Sequence, residues 1–416
     1  MNVILCLRNL DGTMKSENLL EVTSRCIRCG FCLEACPTFV LTGSELESPR
    51  GRIYLARSLE EGILTEAEVR PHMDRCLGCR ACEPACPSGV EYGAILELVR
   101  ARLGNSPAKR ALLSVATSPA AMRAQAVASG MTKGARMPVF LSRLLASEPP
   151  QVEMPRRQAV DLPPFDERDL PPVAGEVYFL EGCAMRALHP RIHACAKRLL
   201  RRVGLKVRDV SQGCCGSMHA HSGELATARD RAHVLARAMP DDLPIVVDSA
   251  GCGSQMKAYG EIDPALGAFA ARVVDLSEIL LAAGLVERMR ESPGVAGTAT
   301  YHDACHLAHG QRITEEPRAL LAAIPGLRLV PLPESEMCCG SAGVYNVLQP
   351  NLARELLDRK MANVRATGAD FVVSGNPGCH AWMEQGVREG GGPVVLHTAE
   401  LLERSFSHEL SPVEES

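Results

Sequence analysis

The chain has 416 residues, of which 46% are apolar and 4% aromatic, and a formal net charge of -4. That is enough chain and apolar surface for two or three domains with cores of their own. The lack of a basic excess and of stacking aromatics argues against nucleic acid as a partner. No apolar run approaches the ~20 residues of a membrane-crossing helix, and Met1 to Leu5, soon followed by Asp11 and Glu17, is too short for a signal-peptide core. Met14 is an alternative start that would place Cys6 outside the working protein. The 18 cysteines are clustered in short motifs and not spread as a disulfide framework, so a reducing, cytoplasmic setting and metal binding are expected.

The first block runs to about Gly104 and carries one signature twice: Cys26-x2-Cys29-x2-Cys32-x3-Cys36-Pro37 and Cys76-x2-Cys79-x2-Cys82-x3-Cys86-Pro87. Two-residue gaps let one loop offer three thiolates to three neighbouring irons, and the fourth thiolate of each set crosses to the other cluster. This spacing assigns Cys26, Cys29, Cys32 and Cys86 to one 4Fe-4S cluster, and Cys76, Cys79, Cys82 and Cys36 to a second. Structural zinc also uses Cys-x2-Cys pairs, but closes its site with two pairs and not with an even run of three plus one. Two adjacent clusters form a relay for single electrons. Helical patterns at Arg52 to Glu61 and Tyr92 to Leu103 make this a mainly helical domain, 1–104. The insert Ser48-Pro-Arg-Gly-Arg-Ile-Tyr-Leu-Ala-Arg57 reads as a helix between the clusters, its basic residues either screening the clusters or lining a solvated face.

Residues 105–175 read as a basic connector and a linker. From Val99 through Ser147 there is no Asp or Glu, while Arg100, Arg102, Lys109, Arg110, Arg123, Lys133, Arg136 and Arg143 are present. Such a stretch suits the inner face of an anionic membrane, where the chain would be peripheral, or an acidic partner, or simply a helix packed on its own protein. Pro149, Pro150, Pro155, Pro163, Pro164, Pro171 and Pro172 then mark an extended, semi-rigid linker.

After the linker the chain repeats itself, as 176–290 and 298–405. Val177-Tyr-Phe-Leu-Glu-Gly-Cys183 returns as Thr298-Ala-Thr-Tyr-His-Asp-Ala-Cys305, Cys214-Cys-Gly-Ser217 as Cys338-Cys-Gly-Ser341, and Val246-Val-Asp-Ser-Ala-Gly-Cys252 as Val372-Val-Ser-Gly-Asn-Pro-Gly-Cys379. Each unit reads strand, helix, strand, helix, strand, helix. The strands include Lys206 to Val210, Pro244 to Val247, Leu327 to Val330 and Phe371 to Val373, and the helices His193 to Val203 and Leu352 to Ala366. The fold class expected overall is α+β: a helical two-cluster ferredoxin domain followed by two tandem α/β domains with parallel-type sheets. Cys183, Cys252, Cys305 and Cys379 fall just past strand ends and the Cys-Cys-Gly turns also follow strands, at the edge where open α/β sheets bind ligands. Gly216 and Gly340 permit the sharp turn that lets paired cysteines face one site. Cys183, Cys214, Cys215, Cys252, Cys305, Cys338, Cys339 and Cys379 are therefore candidates for a further cluster or for redox chemistry. Cys195 lies on a helix pattern without a counterpart and reads as packing. His302, His306, His309, His219 and His221 lie close enough to these motifs for ligand or proton-relay roles, with ordinary loop hydrogen bonding the alternative, and Asp303 either orients a neighbour or is solvated.

The double ferredoxin motif followed by two Cys-Cys-Gly domains resembles a family of iron-sulfur subunits, those of glycolate oxidase, anaerobic glycerol-3-phosphate dehydrogenase, lactate-utilisation enzymes and heterodisulfide reductase. Ser48-Pro-Arg-Gly-Arg-Ile-Tyr-Leu55, Asp74-Arg-Cys-Leu-Gly-Cys-Arg-Ala-Cys-Glu-Pro-Ala-Cys-Pro-Ser-Gly-Val90, Glu181-Gly-Cys-Ala184 and Cys338-Cys-Gly-Ser-Ala-Gly343 are most similar to the glycolate oxidase (glycolate dehydrogenase) iron-sulfur subunits. The resemblance implies an electron-transfer subunit that accepts electrons from FAD-bearing partner subunits oxidising glycolate to glyoxylate and passes them to a quinone or other acceptor. The chain has no Gly-x-Gly-x-x-Gly fingerprint or Gly-Lys-Ser/Thr loop of its own, consistent with a flavin on another chain. Subunits of D-lactate or glycerol-3-phosphate dehydrogenases share these parts. The heterodisulfide reductase relatives close each Cys-Cys-Gly domain with Cys-x2-Cys, whereas here Ser249 and Asn376 hold the first position, so their five-thiol site does not carry over. Thiol-disulfide chemistry at four thiols per unit, or a docking scaffold with structural thiols, are the other readings.

Overall fold

The computed structural model describes residues 17–131, 152–153, 157–168 and 170–407. Cys6 and Met14, the basic residues Lys133, Arg136 and Arg143, and Pro149, Pro150 and Pro155 lie outside the described residues.

The N-terminal block is helical: α1 (Glu17–Ser24), α2 (Pro37–Thr42), α3 (Pro49–Glu60), α4 (Glu66–Asp74) and α5 (Tyr92–Leu103). Its helices start where local chemistry dictates. Pro37 opens α2 directly after Cys36, Pro49 opens α3 behind Ser48, whose hydroxyl accepts from the Gly51 N–H at 3.0 Å, and Thr65 with Glu68 forms a capping box on α4. Ile53, Leu59, Val69, Met73, Ile95 and Val99 supply the core. Helices α6 (Pro107–Ala116) and α7 (Pro119–Met131) continue the basic stretch that begins at the end of α5. Two of its cations are spent internally: Arg100 donates to the carbonyls of Met73, Cys76 and His221, and Lys109 pairs with Asp74 at 3.3 Å. For these residues the self-packed connector is the arrangement found.

Two four-stranded parallel sheets follow. Strands β1 (Gly175–Leu180), β2 (Leu205–Arg208), β3 (Ile245–Val247) and β4 (Val273–Asp275) lie in the order β2-β1-β3-β4. Strands β5 (Gly297–Tyr301), β6 (Leu327–Val330), β7 (Phe371–Ser374) and β8 (Val394–His397) repeat it as β6-β5-β7-β8. The register is equivalent, with Gly175 opposite Leu205 in one sheet and Gly297 opposite Leu327 in the other. The three-strand reading of each unit needs correction, since β4 and β8 each add an edge strand. Both are only three or four residues long, too short to show a period against the helices that follow them. The strands at the centre, β3 and β7, are buried on both faces, as parallel strands covered by helices require.

The two units are packed as one body. Val177, Phe179 and Leu199 of the first share an apolar core with Ala299, Leu401 and Leu402 of the second. At its edge the Arg202 guanidinium grips the buried Glu403 carboxylate through two hydrogen bonds of 2.8 Å. Cys195 is buried within this core, in the packing role expected for it.

Candidate metal centres

The two ferredoxin loops share an unusual backbone. In each, the residue before the second cysteine and the residue after it are left-handed: Arg28 and Gly30 in the first loop, Gly78 and Arg80 in the second, with φ of 58°, 90°, 66° and 62°. Alternating handedness curls the chain so that successive thiols and N–H groups turn inward, the geometry of an anion-binding nest. Cys26, Cys29, Cys32 and Cys86 line one small cavity of about 30 Å³, bordered by Ile53, Val90 and Tyr92. Cys29 is exposed and its three companions half-buried, whereas Cys36, Cys76, Cys79 and Cys82 are all buried. Four soft donors around a nest of N–H groups fit a 4Fe-4S cluster.

The insert helix braces both loops. Arg50 donates to the Arg28 carbonyl at 3.2 Å. Arg52, buried, reaches Cys36 Sγ at 4.0 Å, Thr38 Oγ1 at 3.0 Å and the Glu47 carbonyl and carboxylate, each at 2.7 Å. Arg52 thus stands beside a thiol and away from solvent, whereas Arg50 and Arg57 pair with Glu45 and Glu61 at the surface. Tyr92 adds a hydroxyl donor to Cys76 Sγ at 3.6 Å, and the Gly78 and Val90 N–H groups point at Cys76 and Cys86 Sγ at 3.5 and 3.4 Å. Arg52 was visible in the sequence as part of the basic insert. Tyr92 carried no signal beyond its place at the start of a helix.

In the sheet domains the cysteines lie where the strand ends put them. Cys183 and Cys214 Sγ are 3.6 Å apart, Cys215 and Cys252 3.1 Å, and Cys305 and Cys338 3.9 Å. Hydrogen bonding with the Cys183 and Cys215 thiols, together with the Gly216 N–H that donates to its Sγ at 3.4 Å, holds the Cys214 thiol below its ordinary value. Gly216 and Gly340 have φ of 81° and 92°, and each backbone lies against an alanine, Ala228 and Ala353, of the long helix beyond the short one that follows it. All eight cysteines line a single cavity of about 790 Å³ that Cys76 also borders. The loop Leu77 to Ala81 packs into the core around Cys305, Cys338 and Cys339, so the buried ferredoxin loop lies directly against the second domain.

Ser249 and Asn376, the positions that depart from Cys-x2-Cys, sit on the same cavity wall. Asn376 Nδ2 donates to Cys379 Sγ at 3.6 Å, and its Oδ1 accepts from the Gly251 N–H of the first domain at 3.3 Å. Where a fifth thiol is missing, an amide stitches the two domains together. The histidines separate by their partners. His219 is held on both nitrogens, by Glu224 at 2.7 Å and Thr117 at 3.2 Å; His221 is tied to Glu97 at 2.7 Å; His309 bonds the Glu336 carbonyl at 3.3 Å. His306 leans on Cys305 Sγ at 3.5 Å and lies tilted against the His221 ring, with centroids 4.8 Å apart. Asp303, buried, is clamped by Arg318 at 2.6 and 2.5 Å, which makes it an ion-pair partner and not a solvated loop residue.

These features define an iron-sulfur protein built from a two-cluster ferredoxin region and a duplicated cysteine-rich α/β unit. Family models agree: a 4Fe-4S dicluster domain matches residues 25–90, and a cysteine-rich domain matches 177–257 and again 299–384. The chain is 33% identical to the glycolate oxidase iron-sulfur subunit of Escherichia coli, over 97% of this chain and 98% of that one. It is 31% identical to the probable glycolate oxidase iron-sulfur subunit of Bacillus subtilis, over 93% and 94%. The lactate utilization protein A of Geobacillus kaustophilus is 30% identical over 53% of this chain and 95% of its own. The chain belongs to the family of glycolate oxidase iron-sulfur subunits.

Proposed function

We propose that this chain is the electron-transfer subunit of a glycolate-oxidising complex, with Cys26, Cys29, Cys32 and Cys86 holding one 4Fe-4S cluster and Cys76, Cys79, Cys82 and Cys36 the other. Such clusters, when bound, accept and release single electrons. The observation that carries the reading is the gradient of burial. The first thiol set opens to solvent beside the exposed Ile27 (67%) and Phe31 (69%), while the second is enclosed against the thiol-lined cavity. An apolar edge next to the accessible set suits docking of FAD-bearing subunits, which would perform the hydride chemistry. Arg52 and Tyr92 hold the inner thiols with donors and keep water from them. The domain division 1–104, 105–175, 176–290 and 298–405 follows the same logic, with the cysteine-rich pair at the outlet toward a quinone or other acceptor. Among the described residues no helix is long and apolar enough to cross a membrane.

The test is anaerobic. The tagged chain is purified with its flavin subunits and its visible absorbance followed on adding glycolate, D-lactate or glycerol 3-phosphate. Fast bleaching by glycolate alone supports the proposal, and bleaching by another of the three reassigns the substrate. The size of the cavity, with eight thiols on its wall, favours one second reading, reduction of a disulfide held there. Reoxidation of reduced clusters by a disulfide, with no flavin subunit co-purifying, would put that reading first.

A further inference from the structure

The two cysteine-rich domains are copies whose equivalences can be traced residue by residue, and two buried positions break the copy. The register that matches Gly175 to Gly297 sets Leu180 against His302 and Cys183 against Cys305. The packing of Gly216 on Ala228 and of Gly340 on Ala353 aligns the helices behind them, which sets Leu235 against Lys360. In the first domain both leucines are buried in one apolar cluster with Cys215. In the second an imidazole and an ammonium group, equally buried, stand in their places. Exchanging two buried leucines for polar groups costs several kcal/mol unless the new groups find partners.

Lys360 finds them in the carbonyls of Glu334 and Ser335. His302 finds only half of its own. Its Nδ1 lies 3.0 Å from the Ser335 carbonyl, which can only accept, so Nδ1 carries the proton. Nε2 is then a bare lone pair, buried and, among the described residues, without a hydrogen-bond partner. A ring nitrogen of His302 and the Sγ atoms of Cys339 and Cys379 all lie within 4.8 Å of one another. Ligands sharing one tetrahedral ion are ~3.6–3.8 Å apart, given metal–sulfur bonds of about 2.3 Å and metal–nitrogen bonds of about 2.0–2.1 Å. A backbone carbonyl on the far nitrogen is the usual device that fixes the tautomer and aim of a metal-binding histidine. Leu180 at the equivalent place in the first domain offers no donor.

We infer that His302 is a metal ligand through Nε2, completing a mixed nitrogen and sulfur site with Cys339 and Cys379, so that the second cysteine-rich domain binds its metal differently from the all-thiol first domain. The inference rests on the reading that these domains hold metal. Lys360 is the charge partner of this site, offsetting its thiolates where the first domain has only Leu235. Replacing thiolate by neutral imidazole raises the potential of an iron-sulfur centre, which makes the second domain, the one packed on the buried ferredoxin loop, the favoured destination of an electron leaving that loop.

The experiment uses the full chain, purified anaerobically from cells fed ¹⁵N-histidine. Iron, sulfide and zinc are counted first; metal beyond the about 8 irons of two cubes belongs to the cysteine-rich domains. Pulsed EPR of the reduced protein then reads a ¹⁵N-imidazole coupling if the metal is iron, and X-ray absorption at the zinc edge reads a nitrogen in the ligand shell if it is zinc. The expected result is a histidine nitrogen in the wild type and its loss in His302→Leu together with about half of the excess metal, while His302→Cys keeps the metal and loses only the nitrogen signal. Excess metal with an all-sulfur shell overturns the inference and leaves the underlying reading standing. No excess metal overturns both. The wild-type spectrum decides the question even if the leucine variant fails to fold.

Discussion

Glu47→Gln tests how the buried ferredoxin site is held. The Glu47 side chain is 3% exposed and accepts from Arg52 and Arg75 at 2.7 Å each, with His72 Nδ1 at 2.8 Å. Arg52 itself is 1% exposed. Loss of the carboxylate strands a buried guanidinium, and breaking such a pair from one side costs about 3–5 kcal/mol. Arg52 keeps neutral acceptors in the Glu47 carbonyl and Thr38, so the low end, about 3 kcal/mol, is expected. Placed wholly in the unfolding barrier, that is ~100-fold faster loss of cluster absorbance in anaerobic guanidinium. Glu45→Gln is the internal control, since Glu45 and Arg50 form an exposed pair worth about 0–1 kcal/mol. The pH dependence has a definite sign. Burial raises the Glu47 carboxyl, but the hydrogen bonds from Arg75 and His72 and the charge of Arg52 outweigh it and hold the group below its ordinary value. Its contribution is thus complete above the unfolded value of about 4.3 and is lost as pH falls through the lower folded one, so the gap between wild type and Glu47→Gln closes in acid. Bleaching of Glu47→Gln within about twofold of wild type, or no faster than Glu45→Gln, would refute the reasoning.

Ile27→Ser with Phe31→Ser should leave iron content unchanged and weaken coupling to the flavin subunits by about tenfold, about 1.4 kcal/mol of lost apolar contact, measured as the KM for the partner in a reconstituted assay. Tyr92→Phe removes the hydroxyl donor to Cys76 Sγ and should lower the potential of the inner cluster in an anaerobic redox titration, without changing its assembly. Gly340→Ala would place a Cβ 2.7 Å from the Ala353 carbonyl oxygen at φ 92°, costing about 2 kcal/mol or more, and should disturb metal retention more than Gly216→Ala, where the nearest approach is 3.0 Å. Glu403→Gln strands Arg202 between the two sheet domains and should make the segment joining them sensitive to limited proteolysis at concentrations the wild type withstands.

Much of this arrangement was legible in the residues because cluster chemistry dictates spacing. The two Cys-x2-Cys-x2-Cys runs fix where thiols turn inward, and Cys183, Cys252, Cys305 and Cys379 announce strand ends because an α/β sheet binds at that edge. What stayed hidden depends on partners distant in sequence. Asn376 read as an absent ligand, and only the fold shows its amide accepting from Gly251 of the other domain. Asp303 reads as orienting or solvated, and only the fold brings Arg318, 15 residues on in the next α-helix, against it. His302 was one of five histidines near the motifs, and nothing local separates it from His219. The separation comes from which nitrogen is already engaged, a property of Ser335, Glu224 and Thr117 and not of the histidines' own neighbours. The edge strands β4 and β8 were missed for a different reason: three or four residues hold no period.

Charge compensation gives the four thiol sets an order. A set of thiolates carries negative charge that must be balanced by water or by protein cations and donors, and the cost of leaving it unbalanced grows with burial. The outermost set, with Cys29 exposed, has solvent. The inner ferredoxin set has Arg52 and Tyr92. The second cysteine-rich set has Lys360 at its back and, with His302, a neutral nitrogen in place of one more thiolate. At the corresponding places the first cysteine-rich set has only Leu180 and Leu235. An added electron is one more negative charge, so it is best tolerated where compensation is greatest for the burial. If His302 holds the metal, the second domain is the one expected to receive electrons from the ferredoxin loop packed on it.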